Sequence, residues 1–157
     1  MNFDIACDRL LKNEGGYNNI PEDPGGETNW GISKRQYPNV DIANLSRDEA
    51  KEIYRRDYWE PLLDANPAIK YQVFDFAVNG GLSVAVQKLQ FAIGVADDGH
   101  WGPVSAAKLS SMDVNDVLMR FNAQRLKFYA KLSTFKTFGA GWVIRVAENL
   151  NYAAEDN

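Results

Sequence analysis

Apolar residues recur at helical spacing almost from end to end of this chain, and one long polar segment breaks the recurrence. Phe3, Cys7, Leu10 and Leu11 fall at i, i+4, i+7 and i+8 and make one stripe of a first helix. Gly15 and Gly16 are expected to end it. Glu14 continues the stripe at i+11, which places a carboxylate on the apolar side of the helix's last turn. From Tyr17 to Ile32 the chain is too rich in Asn, Pro and Gly for a helix and too long for an ordinary connection. Within it Thr28, Trp30 and Ile32 alternate, so a short strand or hairpin is expected, turning at Pro24, Gly25 and Gly26.

Beyond that segment the helical pattern resumes. Ser33 with Gln36 forms a capping pattern over a short helix halted by Pro38, and Ser46 with Glu49 forms a clearer one. The second pattern starts a helix to about Trp59 with Ala50, Ile53, Tyr54 and Asp57 on one side, closed by Pro61. Pro67 suits the first position of a helix running to Gly80 and Gly81. Ser83 is expected to cap the next, which ends at Gly94. Residues 97–103 read as a compact turn, Pro103 opens a short helix to Leu109, Asp113 caps a long one, and a final helix follows Gly141. The class is mainly α, about seven helices with one small β element near residues 17–32. Residues 1–157 contain no repeat, low-complexity run or Ser/Gly linker, so a single domain is expected.

Composition removes several chemistries. The 157 residues hold one His and one Cys. Zinc sites draw three or four ligands mainly from Cys, His, Asp and Glu, with Cys or His usually paired with another, so no metal site is expected. Any imidazole in a catalytic dyad would be His100. Cys7 has no disulfide partner and sits in an apolar pattern, as a buried thiol does. With 21 acidic against 17 basic residues the net charge is −4, which argues against nucleic acid as a main partner. No stretch approaches the roughly 18 apolar residues of a membrane helix, and the N-terminus lacks a secretory pattern, so no stable membrane insertion is expected.

What remains is carboxylate chemistry. Cleaving a glycosidic bond takes an acid to protonate the leaving oxygen and a second group on the opposite face to activate water or stabilise the oxocarbenium-like state. A carboxylic acid on an apolar helix face has its charged form disfavoured by desolvation and keeps its proton, as a general acid must. Glu14 fits that role. Asp23, among Pro and Gly on a solvated loop, fits the ionised partner, and the Thr28 hydroxyl can hold a water. Plainer roles exist for each: Glu14 paired with a nearby cation, Asp23 as a turn former, Thr28 as a strand residue. Tyr17, Trp30 and Tyr58 offer faces for stacking on sugar rings, or they belong to the core. Asp75 and Asn79, one turn apart on an apolar helix, line a cleft or brace neighbouring segments by buried hydrogen bonds. Arg145 suits pairing with a carboxylate.

The segments Glu14-Gly15-Gly16-Tyr17, Asp23-Pro24-Gly25-Gly26, Thr28 and Gly31-Ile32 resemble the signature of glycoside hydrolase family 108, the muramidases of phage endolysins and prophage regions. The likeness continues through Tyr58-Trp59-Glu60-Pro61, the run from Phe74 to Gly81, Leu89-Gln90, Asp98-Gly99, Gly102-Pro103 and Gly141-Trp142 with Arg145. It implies a lysozyme-like helical fold and Glu14 as the catalytic acid. It also implies that the second half, from about residue 85, resembles a predicted peptidoglycan-binding region. The order of Glu14, Asp23 and Thr28 is similar to the catalytic set of T4-type phage lysozymes, which implies inversion with water as nucleophile. Glu22 and Glu27 flank the same loop and are alternatives for the second carboxylate.

The expected activity is that of an N-acetylmuramidase acting on bacterial peptidoglycan, monomeric and without a cofactor. As an endolysin it would accumulate in the host cytoplasm and reach the wall through a holin. A lytic transglycosylase and a non-catalytic peptidoglycan-binding module are the alternatives. A wall amidase or peptidase is disfavoured by the shortage of His and Cys.

Overall fold

The Asn2 side chain accepts a hydrogen bond from the Ile5 N–H (3.0 Å) and starts helix α1, Phe3–Lys12. The helix buries Phe3, Ala6, Cys7, Leu10 and Leu11, the stripe its spacing predicts together with Ala6. It ends earlier than expected, because the Asn13 N–H turns back to the Leu10 carbonyl (3.1 Å) and closes a tight last turn. Glu14 therefore lies past the helix end, and Gly15 and Gly16 follow the break instead of making it.

The computed structural model describes residues 1–19 and 26–157. These form two compact units, Asn2–Pro61 and, with Met1, Leu62–Asn157. In the first, strands β1 (Thr28–Asn29) and β2 (Ile32–Ser33) pair antiparallel, Thr28 opposite Ser33 and Asn29 opposite Ile32. The turn between them is Trp30-Gly31, with φ of 52° and 77°. Two successive positive φ values match the twist of a two-residue hairpin. Trp30 is thus a turn residue and not the strand residue that alternation suggested. Of the turn expected at Pro24-Gly25-Gly26, Pro24 and Gly25 lie outside the described residues. Asn18 adds a bridge to Thr28, each N–H donating to the other's carbonyl at 2.8 Å.

Asn29 Nδ2 donates to the carbonyls of Ile42 and Leu45 (3.0 and 3.3 Å), which ties the hairpin to the following segment. At Ser33 the capping bond forms, Gln36 N–H to Ser33 Oγ at 3.2 Å, but residues 34–36 make a turn and no helix. The nucleation cost of a first turn is not repaid when Pro38 follows so soon. Helix α2, Arg47–Tyr54, has the full box: Glu49 N–H to Ser46 Oγ (3.2 Å) and Ser46 N–H to Glu49 Oε2 (2.8 Å). It continues as a π-helix, Arg55–Trp59, where an α-helix was expected. Trp59 meets Phe3 edge-on (5.8 Å) and the Arg55 guanidinium covers the same ring (4.3 Å). Arg47 and Lys51 of α2 also pair with Asp8 and Asp4 of α1 (2.7 and 3.0 Å).

The second unit is helical: α3 Pro67–Gly80, α4 Leu82–Ile93, α5 Pro103–Ser110, α6 Val114–Ala130 and α7 Phe135–Asp156. Pro67, Pro103, Gly94 and Asp113 act as their positions predict. Gly81, at φ 95°, replaces Ser83 as the residue before α4, and Ser83 lies in its first turn. α7 starts at Phe135, ahead of Gly141. The Phe135 ring folds back over Gly139, where a β-carbon would meet it at 2.7 Å, so glycine here makes room inside a helix. Phe76 of α3 meets Phe121, Phe128 and Tyr129 edge-on at 5.5–6.0 Å, and Tyr129 stacks on Trp142 (4.9 Å). Gln90 organises the 97–103 turn, donating to Asp98 Oδ1 and the His100 carbonyl (both 2.9 Å) and accepting from the Gly99 N–H (2.8 Å). Among the described residues no helix is long and apolar enough to cross a membrane.

Candidate active site

The end of α1 delivers Glu14, half-buried, to the hairpin turn. A β-carbon on Gly31 would lie 2.7 Å from Glu14 Oε2 and 2.5 Å from the Tyr54 hydroxyl. The two oxygens converge on the bare Cα of that glycine, and only a residue without a side chain admits them. Tyr54, the last residue of α2, donates its hydroxyl to the Trp30 carbonyl (2.9 Å). The Trp30 indole N–H is held in turn by the Leu45 carbonyl (3.1 Å). Thr28, half-buried, stands on β1 of the same hairpin.

The bridge from Asn18 to Thr28 sets Tyr17 beside Glu27, and the Tyr17 hydroxyl donates to Glu27 Oε1 at 2.9 Å. That bond raises the Tyr17 phenol above its ordinary value, because ionising it would remove the donor from a carboxylate. Tyr17 is 51% exposed and presents an open ring. Glu22 and Asp23 lie outside the described residues.

Glu14, Thr28, Trp30 and Tyr17 thus share one unit, Thr28 and Trp30 in the hairpin, Glu14 against its turn and Tyr17 beside Glu27. Tyr58 does not join them as a sugar platform. It is buried, its ring lies 6.0 Å from that of Tyr54, and its hydroxyl accepts from Gln36 Nε2 at 2.6 Å. An apolar face on the inner side of a helix packs on its own core before it meets a ligand.

Asp75 is likewise not open to substrate. It is wholly buried in the second unit and accepts hydrogen bonds from Arg125, from Arg145 Nη2 (2.8 Å) and from Asn149 Nδ2 (2.6 Å), so that it joins α3, α6 and α7. Burial pushes its carboxyl up, but the charges of Arg125 and Arg145 together outweigh burial and hold it below the usual carboxylate value. Arg145 has the carboxylate partner expected of it. Asn79 is exposed on α3.

His100 is exposed and works through its backbone, its N–H donating to Asp98 Oδ1 (2.9 Å). With Gln90, Asp98 and Ser105 it lines a cavity of about 310 Å3 in the second unit. Among the described residues no group of three or more His, Cys, Asp or Glu is placed to hold a metal ion. Cys7 is a free, buried thiol, and burial pushes it up to about 11.

Tyr54 is the site neighbour that periodicity hides. Its place on the apolar side of α2 is legible, but a phenol in such a stripe is indistinguishable from core until the carbonyl it meets is known.

Three comparisons bear on this arrangement. The sequence profile described as glycosyl hydrolase 108 matches residues 7–81, a span that contains Glu14, the hairpin and Tyr54. Among solved structures, that of Brucella abortus SagA is similar to this chain, with a TM-score of 0.89 and 31% identity, covering 98% of this chain and 94% of that one. No curated protein matches the sequence.

Proposed function

Because the chain belongs to the glycosyl hydrolase 108 family, we propose that it cleaves the β-1,4 bond between N-acetylmuramic acid and N-acetylglucosamine in bacterial peptidoglycan, with Glu14 as general acid. It is a glycoside hydrolase with the mainly helical, lysozyme-like fold and small hairpin that its periodicity predicts. The observation that carries the finer reading is the setting of Glu14. Its carboxyl is half-buried against the Gly31 turn, in the hairpin that bears Thr28 and inside the segment the family profile matches.

In the proposed reaction Glu14 gives its proton to the glycosidic oxygen as the bond from that oxygen to C1 breaks. A water held by the Thr28 hydroxyl adds to C1 from the opposite face and passes its proton to a second carboxylate. Asp23 is assigned that task, with Glu22 and Glu27 as alternatives on the same loop. Attack from the far face inverts the anomeric centre, which needs roughly 6.5–9.5 Å between the two carboxyls to fit the water. The proposal extends to a monomer that needs no metal and reaches the wall through a holin.

Two measurements test it. Glu14→Gln removes the proton donor and is expected to abolish the loss of turbidity of permeabilised cells; a variant as active as the wild type overturns the assignment of Glu14, and a wild type that causes no turbidity loss leaves a non-catalytic wall-binding module. Mass spectrometry of the released muropeptides is expected to show hydrolysed ends. Ends lighter by one water would instead identify a transglycosylase.

A further inference from the structure

Trp30 holds a backbone conformation that residues with side chains rarely adopt, φ 52°, and neighbours must over-determine such a turn for it to persist. Its indole N–H is tied to the Leu45 carbonyl, and its own carbonyl to the Tyr54 hydroxyl. Gly31 follows at φ 77° with its Cα against both the Tyr54 oxygen and the Glu14 carboxyl. Tyr54 is almost fully buried, and Tyr58, anchored by Gln36, backs its ring. It also stands at the junction of α2 and the π-helix, and π turns occur often at functional sites.

We propose that Tyr54 is a positioning residue for the reaction: its hydroxyl locks the Trp30-Gly31 turn, and the locked turn fixes where the Glu14 carboxyl sits. The proposal rests on the reading of Glu14 as the acid. A phenol has one proton to donate, and here it goes to the Trp30 carbonyl. Without it the turn is free to relax toward the ordinary region of backbone space, and the glycine against which Glu14 packs moves with it. Displacing a reacting group by about 1 Å costs on the order of 100-fold in rate, while contacts that bind the rest of the substrate stay as they were. The signature is a fall in kcat at constant KM.

The test compares two phenol deletions in one unit. Tyr54→Phe is expected to lower kcat on soluble, uncross-linked peptidoglycan strands by about 10- to 100-fold with KM within about twofold. Tyr37→Phe removes a hydroxyl that donates to Asp57 Oδ2 (2.8 Å) and is expected to leave both constants unchanged. A folded Tyr54→Phe enzyme with normal kcat overturns the proposal. So does a loss matched in Tyr37→Phe, or one that follows the folded fraction in a thermal melt, because general loosening then accounts for it. If Tyr54→Phe does not fold, Gly31→Ala probes the same contact from the turn side, its methyl meeting both the Tyr54 hydroxyl and the Glu14 carboxyl; lowered kcat at constant KM supports the proposal and normal kcat overturns it. Glu14→Gln is assayed alongside. If it stays active, the acid assignment has failed; if it is dead while Tyr54→Phe is normal, only the positioning role has failed.

Discussion

Glu14 Oε2 lies 2.7 Å from the point where a β-carbon on Gly31 would sit, so the carboxyl and the turn occupy complementary space. Gly94 has the same φ, 77°, and nothing within 4 Å of that point. The two glycines separate backbone strain from contact. Alanine at either position is expected to cost about 1–2 kcal/mol for the left-handed backbone. Only Gly31→Ala is expected to lose most hydrolytic activity, since its methyl must displace Glu14 or Tyr54. Thermal melts paired with turbidity assays check this, and equal activity losses in the two variants would remove the special role of the Gly31 contact.

The Asp75 cluster sets an acid limit on stability. Its carboxyl is held below the ordinary value of 3.8 by Arg125 and Arg145, so folding stabilises the ionised form. That contribution is complete above the unfolded value and is lost as pH falls through the lower folded one. The wild type should therefore lose stability steeply only below about pH 4. Asp75→Asn should be less stable by about 3–5 kcal/mol at neutral pH, because it leaves the buried Arg125 without its counter-charge. Denaturant melts at pH 7 and pH 3 should show the gap narrowing at the lower pH. A gap that does not change with pH would mean the cluster works by packing alone.

Where neighbours in sequence decide an element, the chain is legible. Ser46 with Glu49, Pro67, Gly94, and Asp113 mark helix ends because the residue that sets the end and the groups it serves lie within a few residues. Where a distant group decides, it is not. Asp75 reads as either a cleft residue or a buried brace until Arg125 and Arg145 are brought to it from α6 and α7. Tyr58 reads as either a platform or core until Tyr54 and Gln36 are found against it. The π-helix leaves no trace in a pattern tuned to 3.6 residues, and the beginning of α7 is masked by two glycines in the helix interior, of which Gly139 makes room for the Phe135 ring. Glu14 shows both sides. Its apolar spacing singles it out, but what faces it is a turn whose handedness only the hairpin reveals.

Cys7 reports on the first unit without taking part in its chemistry. The thiol is buried and pushed up to about 11, so little thiolate forms in the folded protein near pH 8. Iodoacetamide labelling of the native protein is expected to proceed only as fast as α1 opens, and to accelerate by orders of magnitude in denaturant. Labelling at the rate of a free thiol under native conditions would show that the helix is not packed as described.

The Tyr17 to Glu27 bond bears on which loop carboxylate assists the reaction. A carboxylate that takes a proton from water in the transition state needs its oxygens available, and one oxygen of Glu27 already accepts from the Tyr17 hydroxyl at 2.9 Å. Glu27→Gln is therefore expected to retain activity within about tenfold, since an amide oxygen can accept from the same phenol. Asp23→Asn, assayed beside it on purified peptidoglycan, is expected to lose on the order of 100-fold or more, the contribution of a general base. Tyr17→Phe frees the Glu27 oxygen and keeps the exposed ring, so it should leave KM unchanged, whereas Tyr17→Ala should raise KM if that ring carries a sugar face. The reverse ranking, with Glu27→Gln dead and Asp23→Asn active, would move the base to Glu27 and make the Tyr17 hydroxyl its regulator.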